Sequence, residues 1–535
     1  MLGCRGFSAN QQLGNALCGC YESYCLDLLR SRYIKTTIMS PNSAIHSSGI
    51  SPTGDATGII ELGDSCSPIQ VIGTDAIRET FGASCINQAI AAAMAPGVSQ
   101  FVLNPDGHYG HGVPVGSVLV SPDHIYPGPV GVDIKCSMSL LQTNIPEEHI
   151  SETKIRRQII REIESKLASG KHAPKGRAVN EDSGFEAAIK GADRKLLDKL
   201  GIPPRWQDCC EQWQHLGVCR TSDGLGERLQ KLLYQNTIRD FTGKCKQLGS
   251  YGGGNHFGEC NVVRVVDSES SKKTASHFGL KDGCVAFLSH CGSRGLGHTL
   301  ATNQFRWLQT AFKKRGRSFP SGDRELVFAE YGTPDANNYL NDMSMGANFA
   351  TVNHLLINAI VLAAFQKVLP GTNGELLYFI SHNIVTREEH DGASQWVHRK
   401  GATRAFPAGH PGLAGTKFET TGHPILLPGN PRDGSSVMVA LPGASLTAYS
   451  INHGAGRSMT RTAAKANLKP ELVYQGLAEA DVISNCRYYP IDEAPDAYKD
   501  FREVLRSVEL AGLATEVARL QAKFVIKDAK GGSAN

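Results

Sequence analysis

The chain has 535 residues, 41% hydrophobic and 20% charged, which describes a globular protein able to bury a large core. A net charge of +4 is too small to mark a nucleic-acid binder, so any basic groove has to come from local clusters. No apolar leader or membrane-length run is read, and 15 cysteines without paired spacing fit reduced thiols in a cytoplasmic protein.

Residues 1–65 carry little pattern and read as a peripheral N-terminal extension, in which Cys4, Cys18, Cys20 and Cys25 fit no standard zinc spacing. Residues 66–535 read as one large catalytic domain. Asp75 to Met94 has helical spacing, and Phe101-Val102-Leu103 reads as a strand ending at Asp106. Gly112–Val120 and Ile125–Ile134 alternate apolar residues with glycine and proline, as strands and tight turns do. Ser151 is placed to cap a periodic helix over Ile155–Leu167, which opens a polar helical insertion at about 151–235.

Farther on, Val285–Leu288 and Leu376–Ile380 predict buried strands, each with a histidine at its C-terminal end. Ala347–Leu369 predicts a long buried helix between them. Ile425–Ile451 predicts short strands with turns at Pro428-Gly429 and Pro442-Gly443, and the tail from Pro470 to Phe524 reads as mostly helical. Among the basic clusters, Arg156-Arg157, Lys171–Arg177 and Lys313–Arg317 read as solvated faces, whereas Arg399-Lys400 sits beside apolar residues and is the exception. The expected fold is α/β: a large single catalytic domain with mixed central β-sheets flanked by helices.

Six segments carry polar chemistry. Gly252–Glu259 sets Asn255, His256 and Glu259 on a glycine-rich backbone that can turn through positive φ and lie close to a phosphate or metal. Taken alone it is equally well a turn with an exposed histidine. Asn104–His108, Gly131–Cys136, Ser289–Gly295, Ser381–Asn383 and His453–Arg457 have the same character, and together they predict a site assembled from remote parts of the chain.

Asp133 and Cys136 would point to opposite faces of an ideal strand, and a bend lets both reach one metal. With His256, His290 and His382 they form a mixed hard and soft donor set that suits Zn, Mn, Fe or Co. Counting His453, the donors exceed what one tetrahedral ion needs, which predicts two neighbouring metals sharing a ligand. His453 lies among small residues with Arg457 nearby as a phosphate fork, and its imidazole is either a further ligand or a nucleophile on phosphorus.

These segments resemble the RtcB-type RNA-splicing ligases. The likeness runs from about Asp75 to Lys527 and rests on Pro105–Gly110, Val132–Cys136, Leu248–Glu259, His290–Gly295, His398–Ala402, His453–Arg457 and Asp492–Asp500. It implies a GTP- and Mn²⁺-dependent ligase that joins an RNA 3′-phosphate or 2′,3′-cyclic phosphate to a 5′-hydroxyl, on tRNA halves or broken RNA ends, with an archease-like activating protein as partner. The resemblance makes His453 the residue that carries GMP, with Asp106 and Arg457 paired near the reacting phosphate. It gives two Mn²⁺ ions to Asp133, Cys136, His256, His290 and His382, with the thiolate between them.

The guanosine pocket it implies comprises Asn255, Glu259, Ser435, Gly454, Ala455, Gly456, Tyr498 and Lys527, with Lys530 as an alternative to Lys527. Glu259 suits the N1 and N2 donors of guanine, which adenine lacks. The chain departs from the family pattern at Lys135, where a glycine is usual and a charge is expected near the metals, and at Asn430–Asp433. A dinuclear metallophosphoesterase would use the same ligands, and a catalytically silent RNA-binding scaffold is the third class.

Overall fold

The computed structural model describes residues 49–63, 66–169, 172–390 and 392–528, so the early cysteines and Lys530 lie outside the described residues. The architecture is α/β, with two large sheets flanked by helices. One sheet has seven strands in the order Ser51–Gly54, Thr57–Ile60, Ile69–Ile72, Gln100–His108, Val115–Ser121, Ala393–Lys400 and Asn383–His390. Residues 51–60, read from sequence as part of a peripheral extension, are thus edge strands of this sheet.

The second sheet positions the site. Its main path runs Gly374–Ser381, Ser137–Pro146, Cys284–Cys291, Phe257–Val265, Ala514–Ile526, Gly434–Ala440 and Pro424–Asn430, every neighbouring pair antiparallel. Antiparallel neighbours place the end of one strand beside the start of the next. Ser137 therefore faces both Ser381 and Cys291, and Phe257 faces His290. Consequently His382, Cys136, His290 and His256 leave the sheet at one and the same rim.

Several sequence expectations are corrected. The tail is not mostly helical, because Ala514–Ile526 is a thirteen-residue strand in the middle of the second sheet, paired on both sides. Helix Thr153–Lys166 has Glu152 at its N-cap, and the Ser151 hydroxyl donates instead to Glu148 O. Pro428-Gly429 lies within a strand rather than at its turn. Arg156 is buried on that helix and ion-paired with Asp481 at 2.8 Å, so it is no solvated face.

The helix predicted over Ala347–Leu369 spans Pro334–Val368 and is buried along most of its length. It is long and apolar enough to cross a membrane, yet 94% of its apolar window is packed inside the fold. Residues of the 151–235 region, among them Ile159, Leu196, Trp206 and Leu229, share one apolar core with this helix. Burying such a continuous face at about 25 cal/mol per Å² is what holds the helices against the back of the second sheet.

Candidate active site

At the shared rim the donor atoms converge. Cys136 Sγ lies 3.4 Å from His256 Nε2 and 3.1 Å from His290 Nε2, and His290 Nε2 lies 3.3 Å from His382 Nε2. Asp133 Oδ2 is 2.8 Å from His256 Nε2. Two sets of three candidate ligands result among the described residues, Cys136–His290–His382 and Asp133–Cys136–His256, and each set has its donor atoms within 4.8 Å of one another. The thiol of Cys136 belongs to both.

The chemistry of these donors fits a pair of divalent cations. Burial, reinforced by the neighbouring imidazoles, holds His290 and His382 well below the ordinary histidine range, which favours neutral rings able to offer a lone pair to a cation. Burial and the Asp133 carboxylate push the Cys136 thiol up, so a thiolate at that point calls for cationic neighbours. His256 Nδ1 is tied to Tyr251 O at 2.9 Å, which orients its Nε2 toward the cluster. Gly292 has no room for a side chain because a Cβ would overlap the Asp133 carboxylate.

Delivering Asp133 and Cys136 to one side takes a sharp turn. Cys136 N donates to Asp133 O at 3.1 Å, and Lys135 between them has φ of 52°. That left-handed conformation costs a residue with a Cβ about 1–2 kcal/mol. Its neighbours hold it: Lys135 N donates to Asn383 O at 2.7 Å and His382 N to Cys136 O at 2.9 Å. The expectation that Lys135 brings charge to the metals is corrected, since its buried ammonium donates to Gln212 O at 2.6 Å and to Thr351 Oγ1 at 2.9 Å.

His453 enters from the other side, after the short strand Ser450–Asn452. Its Nδ1 lies 2.8 Å from Asp106 Oδ2 and 2.9 Å from Gly401 O. Both partners accept hydrogen bonds, so Nδ1 carries a proton, and in the neutral ring the lone pair is then on Nε2. The ring centroid is 4.6 Å from that of His382 and 6.3 Å from that of His290. Asp106 is wholly buried.

The expected pairing of Asp106 with Arg457 is therefore corrected. Asp106 holds His453, and the Arg457 guanidinium goes to Asp492 O at 2.7 Å, Met459 O at 3.0 Å and Glu493 at 3.5 Å. Gly456, at φ of 75°, lets this turn press against the Asp106 backbone, where a Cβ would collide.

Farther along the same rim, Glu259 sits opposite Val525 and beside Ser435, whose hydroxyl donates to Glu259 Oε1 at 3.2 Å. Burial raises the Glu259 carboxyl to about 7 against the opposing pull of Ser435, Asn261 and Lys527. Lys527 Nζ reaches Glu493 at 3.1 Å, Tyr498 donates its hydroxyl to Glu493 at 2.6 Å, and Arg461 pairs with Glu493 at 2.5 Å. Burial alone would raise Glu493, yet Lys527, Arg461 and Tyr498 overcome it and leave the carboxyl at about 2.

One cleft of about 1100 Å³ joins both ends, lined at one end by Asp133, Cys136, His290, His382 and His453. At the other end stand Asn255, Glu259, Ser435, Gly454, Ala455, Gly456, Arg457, Tyr498 and Lys527. The structure thus gathers the sequence-derived site residues that it describes, with Asp106 and His256 holding lining residues from behind.

Sequence reasoning missed Glu493, although it lies in the motif Asp492–Asp500. It also missed Lys499, whose ammonium donates to Pro105 O at 2.9 Å and Gly107 O at 2.8 Å and so fixes the Asp106 loop. Of the singled-out pair Arg399-Lys400, Arg399 is buried against Glu388 at 2.6 Å and only Lys400 reaches the cleft.

The profile of the family described as tRNA-splicing ligase RtcB matches residues 88–528. The tRNA-splicing ligase RtcB of Nanoarchaeum equitans is 35% identical over 86% of this chain and 95% of its own length. That of Archaeoglobus fulgidus is 34% identical over 83% of this chain and 90% of its own length. That of Aeropyrum pernix is 33% identical over 82% and 90%. By matched length, by identity and by the converging ligand set, the chain belongs to the RtcB family of tRNA-splicing ligases.

Proposed function

We propose that this protein is a GTP- and Mn²⁺-dependent RNA ligase that joins RNA 3′-phosphate or 2′,3′-cyclic phosphate ends to 5′-hydroxyl ends through a guanylated His453. The observation that carries the reading is the placement of His453 Nδ1 against Asp106 and Gly401 O. With Nδ1–H committed to Asp106 and Gly401 O, Nε2 is a free nucleophile beside the shared-thiol ligand sets. The names of the relatives, tRNA-splicing ligases, support RNA as substrate.

In this reading His453 Nε2 attacks the α-phosphorus of GTP, a P–N bond forms, and the bond to the β-phosphate oxygen breaks to release pyrophosphate. An oxygen of the RNA 3′-phosphate then attacks the same phosphorus, the P–N bond breaks, and GMP is carried on the RNA end. Attack of the 5′-hydroxyl on the 3′-phosphate forms the phosphodiester and expels GMP; a 2′,3′-cyclic end is first opened by water. Asp106 keeps the imidazole oriented and stabilises the positive charge it acquires. Two Mn²⁺ ions, held by Asp133, Cys136, His256, His290 and His382, would neutralise the phosphoryl oxygens during transfer. Glu259, with Ser435 beside it, accepts from the guanine N1 and N2 donors, and Arg457, Tyr498 and Lys527 line the nucleotide.

The assignment includes a cytoplasmic setting, a role in tRNA splicing or RNA repair, and an archease-like activator. Incubation with α-labelled GTP and Mn²⁺ tests it. An acid-labile protein label absent from His453→Ala is expected. An unlabelled protein that hydrolyses phosphodiesters in Mn²⁺ would instead be the dinuclear phosphoesterase.

A further inference from the structure

We propose that Lys135 is a positioning residue for the metal-ligand turn, its ammonium acting as a clamp that fixes Asp133 and Cys136 from behind. The inference rests on the reading that this cluster binds Mn²⁺. Lys135 sits between the two ligands, fully buried, in a backbone conformation that a residue with a Cβ adopts only when its surroundings enforce it. The packed surroundings of its side chain supply that enforcement. Its Nζ donates to Gln212 O at 2.6 Å and to Thr351 Oγ1 at 2.9 Å, approaches Glu211 O at 3.4 Å, and lies 5.4 Å over the Phe379 ring.

Those partners are themselves anchored. Glu211 N donates to Phe379 O at 3.3 Å, the Glu211 carboxylate pairs with Arg404, and Thr351 donates to Ala347 O within the long buried helix. One side chain thereby ties the turn between two ligands to the 211–212 segment and to helix Pro334–Val368. Meanwhile the Lys135 carbonyl accepts from Ser137 Oγ at 2.7 Å and its N–H is held by Asn383 O, so the turn is gripped on both faces. A clamp of this kind sets how well the carboxylate and thiol are pre-arranged for an ion, and orienting residues of metal sites govern affinity in that way.

The test is Mn²⁺ affinity of the nucleotide-free protein, read by electron paramagnetic resonance of free Mn²⁺. Lys135→Met keeps the stem and removes the ammonium, and it is expected to weaken Mn²⁺ binding about 10-fold or more. Lys135→Ala keeps the left-handed backbone without the clamp and loses more than Lys135→Gly, whose backbone adopts positive φ freely. Thr351→Val removes one acceptor and weakens binding in the same direction by a smaller factor. Lys135→Met and Lys135→Ala that bind Mn²⁺ within about twofold of the parent, even with a lowered melting temperature, would overturn the proposal and leave a purely structural lysine. A parent protein that takes up no Mn²⁺ overturns both this proposal and the ligase reading.

Discussion

The two ends of the cleft solve opposite electrostatic problems. At the ligand end, three imidazoles, a thiol shared by both donor sets and a carboxylate face one another at about 3 Å. At the nucleotide end, Lys527, Arg457 and Arg461 already surround an ionised Glu493. The first end gathers donors with no cationic side chain, among the described residues, partnering its cysteine and histidines, whereas the second already holds more cationic than anionic groups around Glu493. On the proposed reading, a metal site and a nucleotide site would share one rim without drawing on the same charge.

The most damaging way to break this contrast is at the shared thiol. Cys136→Ala removes a member of both ligand sets, so we expect Mn²⁺ affinity to fall at least about 100-fold and ligation to vanish, measured by metal analysis and an RNA-joining assay. A full complement of ions in that variant would contradict the bridging role. Next in size is Asp106→Asn, which changes what holds Nδ1 of His453 while leaving the ligands alone. Guanylation should drop by about 10³- to 10⁴-fold with Mn²⁺ affinity unchanged, since the wrong tautomer buries the nucleophile.

The smallest effect sharpens the comparison at the nucleotide end. Glu259→Gln should narrow discrimination between GTP and ATP in labelling competition. It also has a sign in stability. The folded carboxyl sits at about 7 against an ordinary 4.5, so the native state binds the extra proton between those values and loses stability as pH rises through them. The parent should therefore lose roughly 3 kcal/mol between pH 4 and pH 8 that Glu259→Gln retains, read from denaturant titrations at the two pH values. Equal pH profiles would show that Glu259 is solvated in the native protein.

Much of the site was legible in the sequence because its chemistry dictates residue types within glycine-rich turns. His290 and His382 were placed at the ends of apolar strands, and Cys136 and Asp133 at a bend, all as observed. What stayed hidden depends on partners remote in the chain. Asp106 pairs with a histidine 347 residues away, and nothing local distinguishes that from a partnership with Arg457. Arg156 repeats with helical spacing like a surface residue, and only Asp481, 325 residues on, explains its burial. Ala514–Ile526 is rich in helix formers, and pairing on both edges overrides that preference.

The rim from which four ligands emerge has a temporal consequence during synthesis. Its strands come from positions 137–146, 257–265, 284–291 and 374–381, contiguous in the sheet, and 374–381 is the last of the four to be made. A nascent chain thus carries Asp133 and Cys136 long before Gly374–Ser381 arrives to pair with Ser137–Pro146. Pairing of strands this far apart in the sequence has to precede assembly of the rim, so a chain that has not yet made residues 374–382 lacks it.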